Sequence, residues 1–399
     1  MKQKVNHILL KDIQIYSQDQ FIKDGYIKIK DQKIIEIGSL NELSTTEEFN
    51  VIEIPSSFKA VPGFIDVHIH GVAGADTMDA TKEALDIMVA ELPKEGTTSF
   101  LATTMTQDVK QIEDALINAG QYSIDQQHSG KAEILGIHLE GPFVNPKRAG
   151  AQPTQYMILP NLELFKKWQN LANGNIKLVT LAPEQPGGYE MIRYLKANGV
   201  IASIGHTDAT YEEVNEAIAA GANHVTHLFN QMRELHHREP GVVGAAFLRE
   251  ELKAEIIVDG IHIRPEMVNL AFKQKRSDGL LLITDAMRAK CLKNGVYELG
   301  GQEVIVKDGK AVLEDGTLAG SILKLGQAVK NIISYTGCSL DDAIEMASVN
   351  PAKQLNIYDR KGSIAVGKDA DIVILDEAME VYMTLCRGVL AFKREENSK

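Results

Sequence analysis

Between residues 64 and 285 the chain changes its hydrophobic period again and again, and this constrains the fold more than any other feature. Short apolar runs fall at 64–70, 98–103, 133–140, 176–181, 200–206, 224–227, 254–258 and 280–285. Runs of that length read as strands. Helix-period patterns lie between most of them, as at 82–92, 109–122, 161–171, 188–197 and 211–219. About eight strand–helix units in this span predict a (β/α)8 barrel, with reactive groups at the C-terminal ends of its parallel strands. A doubly wound open sheet is the alternative, but no glycine-rich dinucleotide fingerprint follows the first strand. Residues 295–317 read as a β insertion after the last strand.

The ends of the chain look different. Strand patterns at 26–29, 33–37 and 51–54 precede the barrel; a strand, glycine turn and strand at 362–376, then 381–385 and 389–392, follow it. The expectation is a small β-sandwich domain formed by both termini, residues 1–60 and 360–399, around a barrel spanning 61–359. A hydrophobic content of 44% with 24% charged residues suits a soluble globular chain. The net charge of -12 disfavours nucleic acid or an anionic membrane as partner, while leaving room for a small anionic substrate. Cys291, Cys338 and Cys386 are odd in number and far apart, so no disulfide framework is expected. The first residues lack the apolar core of a signal peptide, and no apolar run is long enough to span a bilayer. A cytoplasmic protein is the expectation.

Chemistry concentrates where strands end. In ILGIHLEGPFVN, residues 134–145, alternation puts His138 and Glu140 on one face, and Gly141-Pro142 stops the strand just past the carboxylate. A carboxylate at a buried strand exit is unfavourable unless paired or bound to a metal; a salt-bridged rim glutamate is the plain alternative. The first barrel strand ends in Asp66-Val67-His68-Ile69-His70-Gly71, with both imidazoles on one face as a pair of nitrogen ligands. His206 ends the fifth strand and His227 the sixth, whereas His224 reads as a hydrogen-bonded core residue. In a barrel, these four histidines and Glu140 converge on one rim and compose a metal site. The last strand delivers Asp285 there. A carboxylate so placed can take a proton from an activated water and pass it to a leaving group, as amide or ester hydrolysis requires. Capping a helix at Ala286-Met287 is its structural alternative.

Several motifs occur in order: HIHG at 68–71, HLEGPF at 138–143, GHTDA at 205–209, THLFNQM at 226–232, REPG at 238–241, DGIHIRP at 259–265, TDAM at 284–287 and LAGS at 318–321. Together they resemble the N-acetylglucosamine-6-phosphate deacetylase family, a branch of the amidohydrolase superfamily. GSIAVGKDADIVILD resembles the superfamily's C-terminal segment. The resemblance implies metal-dependent hydrolysis of N-acetyl-D-glucosamine 6-phosphate to D-glucosamine 6-phosphate and acetate, in amino-sugar catabolism or cell-wall sugar recycling. It implies Glu140, His206 and His227 as principal ligands of a divalent ion, His68 and His70 as ligands of a second, and Asp285 as general base and acid. Substrate contacts are implied for Ala151, Gln152, Asn230, Gln231, Asp259, His262 and the stretch Leu318, Ala319 and Gly320. Arg238, beside His236 and His237, looks like the family's phosphate-binding arginine, contributed across a homodimer; without the resemblance this run reads as a solvated loop. One position departs: Gln152 stands where many members carry a histidine against the substrate carbonyl, and an amide can donate a hydrogen bond but cannot become cationic. The ligand types admit Zn, Fe, Mn, Co or Ni. The rivals are the galactosamine epimer as substrate and an inactive scaffold, which would be expected to have lost ligands.

Overall fold

The structure is a computed structural model that describes residues 7–395 except 45, 127 and 128. Residues 1–6 and 396–399, included in the expected terminal domain, lie outside the described residues. The eight central strands form one parallel sheet in sequential order: β1 (Phe64–Ile69), β2 (Thr97–Thr104), β3 (Glu133–Glu140), β4 (Ile176–Leu181), β5 (Ile201–Ile204), β6 (His224–Val225), β7 (Lys253–Ile257) and β8 (Leu280–Ile283). β5, β6 and β8 each stop two residues sooner than their apolar runs. The reason is conformational: His206, His227 and Asp285 have φ of 47°, 30° and 49°. A left-handed residue cannot continue a strand ladder, so each of these side chains hangs just beyond its strand.

No backbone ladder joins β8 to β1 among the described residues. An isolated parallel bridge between Ile69 and Ala286, just past the end of β8, closes the ring together with side chains. Buried Asp66 accepts hydrogen bonds from Thr284 Oγ1 at 2.6 Å, Thr284 N–H at 3.3 Å and His68 N–H at 3.2 Å. Asp285 N–H then donates to His68 O at 2.8 Å.

Helices cover the outside of the ring, including Val109–Asp125, Leu162–Leu171 and Tyr211–Ala220. Their starts are encoded locally. Asp108 and Asn161 accept backbone N–H bonds as N-caps, and Thr210 with Glu213 makes a reciprocal capping box. Ile112, Ala115, Leu116 and Ala119 line one face of the longest of these three and are buried against the ring. Beneath the mouth, the ring interior is unusually polar. Ser203, Thr226, Thr180 and His138 form one hydrogen-bonded file, with contacts of 2.5, 2.7 and 2.7 Å.

Both ends of the chain enter a second, eight-stranded sheet. Its order runs Val389–Lys393, Val381–Cys386, Ile372–Leu375, Lys59–Pro62, Ile8–Tyr16, Phe21–Lys30, Lys33–Ser39, with Asn50–Glu53 pairing on Ile8–Tyr16. It has its own apolar core, including Leu10, Ile13, Ile27 and Ile372. The expected first strand of the 362–376 pair is only an isolated bridge between Ser17 and Ile364. A half-buried ionic network ties the foot of β3 to this end of the chain. Glu133 pairs with Arg360 at 2.9 Å and Lys361 at 2.8 Å, and these cations also hold Asp369 and Asp371. Burial pushes the Glu133 carboxyl up, but Lys361 and Arg360 outweigh it and hold the pKa at about 2.

The insertion after β8 is a three-stranded antiparallel sheet, Gly295–Leu299, Gln302–Lys307 and Lys310–Val312. Leu299, Val304 and Val306 pack with Met105 and Met287 beside the ring mouth. The three cysteines are free, and no described helix is long and apolar enough to cross a membrane.

Candidate metal centre

Glu140, at the last position of β3, is the hub of the mouth. Its Oε1 lies 3.2 Å from His206 Nε2, 3.3 Å from His227 Nε2 and 3.4 Å from His68 Nε2. Its Oε2 lies 3.3 Å from His70 Nε2. Asp285 Oδ1 faces the same pair from the other side, 3.5 Å from His68 Nε2 and 3.3 Å from His70 Nε2. Two groups of ligand atoms therefore share the glutamate: Glu140 with His206 and His227, and His68 and His70 with Asp285. Asp285 caps no helix, since none begins at Ala286. Gly71 follows the histidine pair because the chain there runs against its neighbours; a Cβ would lie 2.3 Å from Ala75 O.

The chemistry of this donor set fits a divalent transition ion. His206 Nδ1 contacts Arg148 O at 2.8 Å, and a carbonyl only accepts, so Nδ1 carries a hydrogen and the neutral ring presents Nε2 as its lone pair. That lone pair faces His227 Nε2 at 3.1 Å. His68 Nε2 is buried with no hydrogen-bond partner. Lone pairs and carboxylate oxygens aimed at one another out of water call for a cation between them. The local potential agrees. Burial pulls the His70 imidazole down, yet Asp285 and Glu140 raise its pKa to about 10. Burial pushes Glu140 up, and the surrounding imidazoles hold it well below the carboxylate range.

The model of the Amidohydrolase family matches residues 60–391. The chain belongs to the amidohydrolase family. Among its relatives, an N-acetylglucosamine-6-phosphate deacetylase of Bacillus subtilis is 52% identical over 98% of both chains. An N-acetylgalactosamine-6-phosphate deacetylase of Escherichia coli O157:H7 is 34% identical over 96% of this chain and 99% of its own. A crystal structure of an N-acetyl-D-glucosamine-6-phosphate deacetylase variant from Mycobacterium smegmatis, in complex with N-acetyl-D-glucosamine-6-phosphate, superposes with a TM-score of 0.90. It is 30% identical, covering 97% of this chain and all of that one.

In this amidohydrolase the ligand cluster forms the floor of a cavity of about 400 Å3. Ala151, Gln152, Asn230, Gln231, His262, Leu318 and Gly320 line it, as do Met105, Leu299 and Thr317, which carry no motif that could have flagged them. Asp259 reaches the cavity through His262, whose Nδ1 it holds at 2.7 Å. Ala319 is buried in the core beneath the insertion. Gly320, with φ of 63°, approaches Asp285 O so closely that a Cβ would lie 3.0 Å from it. His237 and Arg238 are exposed, contact each other at 2.7 Å, and do not line the cavity of the single chain.

Two placements change the reading of motif residues. Gln152 is already engaged: its Nε2 donates to Glu140 Oε2 at 2.8 Å while its Oε1 accepts from Thr106 N–H at 2.8 Å. His138 points below the mouth, bonded to Thr180 and 3.2 Å from Val67 O. Burial beside His68 depresses its pKa to about 3, so it is neutral. Sequence reasoning missed Glu255 on β7, which sits directly behind the histidines; a lone glutamate inside the apolar run AEIIV was the available signal.

Proposed function

We propose that this chain is a metal-dependent deacetylase that converts N-acetyl-D-glucosamine 6-phosphate and water to D-glucosamine 6-phosphate and acetate. The observation that carries the reading is the joint convergence of Glu140, His206 and His227 with Asp285 on the floor of one cavity. Its volume suits a hexose phosphate. The 52% identity to the B. subtilis deacetylase weighs for the glucosamine substrate over the galactosamine epimer.

Glu140, His206 and His227 would hold the principal ion, and His68 and His70 a second one that shares Glu140; imidazole and carboxylate donors suit Zn, Fe, Mn, Co or Ni. A divalent ion there lowers the pKa of water and polarises an amide carbonyl. Asp285, opposite Glu140, takes the proton of the attacking water and returns it to the nitrogen as the C–N bond breaks, so that acetate and a free amine leave. Gln152, anchored on Thr106, steadies Glu140. Asn230, Gln231, the Asp259–His262 pair and the backbone at Leu318–Gly320 would orient the sugar.

The phosphate needs a cation, and no lysine or arginine lines the cavity among the described residues. Arg238 of a second copy, across a homodimer, would fill that role with a guanidinium fork. The barrel at 61–359 would be the catalytic domain and the terminal sheet its support, in a cytoplasmic enzyme of amino-sugar metabolism.

The test is acetate release from N-acetylglucosamine 6-phosphate, its galactosamine epimer and the unphosphorylated sugar, with and without chelator. Release from the first, abolished by chelator and restored by divalent metal, is the expected result. No release from the metal-loaded enzyme would refute the reading.

A further inference from the structure

We infer that Glu255 is a positioning residue that presets His68 for the second ion, through a buried hydrogen-bond relay running from the mouth down to Gln354. The inference rests on the two-ion reading above.

Glu255 lies on β7, fully buried, and its two oxygens meet three donors. Oε2 is 2.9 Å from His68 Nδ1 and 3.1 Å from His227 N–H; Oε1 is 3.1 Å from His224 Nε2. An ionised carboxylate only accepts. His68 must therefore carry a hydrogen on Nδ1, so that its neutral, ligating form has Nε2 bare and aimed at Glu140 and Asp285. By the same reasoning His224 carries its hydrogen on Nε2, and its bare Nδ1 accepts from Gln354 Nε2 at 3.1 Å. Both histidine tautomers along Gln354, His224, Glu255 and His68 are thus fixed by a neighbour.

The pair at the mouth is thus asymmetric. His70 Nδ1 is buried without a partner, so His68 alone arrives with its ring orientation and lone pair settled in advance. A carboxylate behind a ligating imidazole also raises its basicity, and losing such a partner weakens metal binding about 10- to 100-fold. Through the His227 N–H bond, Glu255 also braces the left-handed turn on which His227 sits, but it makes no contact with either ring nitrogen of His227.

The test is Glu255→Gln, which keeps shape and one acceptor but removes the charge. Cobalt(II) is titrated into the metal-free wild type and variant, read by visible absorption and by ions bound per subunit, with chelator competition for affinity. The expected result is one ion held as tightly as in the wild type and a second weakened about 10- to 100-fold. Two ions of unchanged affinity in a folded variant would overturn the inference alone. A wild type that loads only one ion would overturn it together with the two-ion reading. Should the variant not fold, the zinc-loaded wild type labelled with 15N-histidine serves, with the His68 signal assigned by its loss in His68→Asn. A far-downfield, slowly exchanging His68 Nδ1 proton is expected, and one exchanging as fast as in free imidazole would overturn the assignment.

Discussion

Replacing Glu133 with Gln separates the scaffold from the chemistry. Glu133 opens β3 and Glu140 closes it, so seven residues at about 3.3 Å each put about 23 Å between the ionic network and the ligand hub. The gap between a pKa of about 2 and the ordinary 4.5 corresponds to about 3 kcal/mol favouring the ionised form in the fold. Its partners Lys361 and Arg360 also pair with Asp369 and Asp371, so they are not stranded. With an unfolding entropy on the order of 0.8 kcal/mol per kelvin for 399 residues, the variant should melt about 4 °C lower at neutral pH. The sign with pH follows from a depressed carboxyl. The stabilisation is complete above the ordinary pKa of 4.5 and fades as pH falls toward 2, so the two melting curves converge on acidification. Calorimetry of wild type and variant from pH 7 to 3, with steady-state kinetics at neutral pH, makes the comparison. A loss below about 1 kcal/mol, one that does not shrink in acid, or a fall in kcat would refute the reasoning.

Two expectations bear on the site. Asp285→Asn should lower kcat by about 100- to 10,000-fold, the usual contribution of a positioned base and acid, while metal analysis finds the ions still bound; substantial residual turnover would contradict the role. Arg238→Ala should raise KM for the phosphorylated sugar, and mixing it with Asp285→Asn under subunit exchange should restore activity, because one site of the mixed dimer then has both an intact Asp285 and its partner's arginine. No recovery on mixing would place the arginine's action within its own chain or nowhere.

The ring and the polar residues gathered at its mouth were legible because both are written in short-range pattern. Apolar runs alternate with capped amphipathic helices, and polar residues at run ends mark the mouth, as with His68, His70 and Glu140. What pattern cannot show is where a backbone leaves its strand. His206, His227 and Asp285 continue apolar runs on paper, and only their left-handed conformation reveals that they stand past the ladder. Two terminal strands escaped for related reasons: the partners of Lys59–Pro62, Ile8–Tyr16 and Ile372–Leu375, are far away in the chain, and Asp12 with φ of 66° interrupts the alternation of Ile8–Tyr16. Glu255 was hidden differently. A buried carboxylate inside an apolar strand makes sense only when its three donors, brought from β1 and β6, are seen around it.

Among the described residues the ring has seven backbone ladders for eight strands, and between β8 and β1 the backbone meets only through the isolated bridge of Ile69 with Ala286 and the bonds beside it. The second candidate ligand group straddles that seam, His68 and His70 on one lip and Asp285 on the other. An ion bound there would be a clasp as well as a reagent: seam closure and ion occupancy would be linked equilibria, each raising the other. A second ion would then add rigidity at the place where a substrate must be held still.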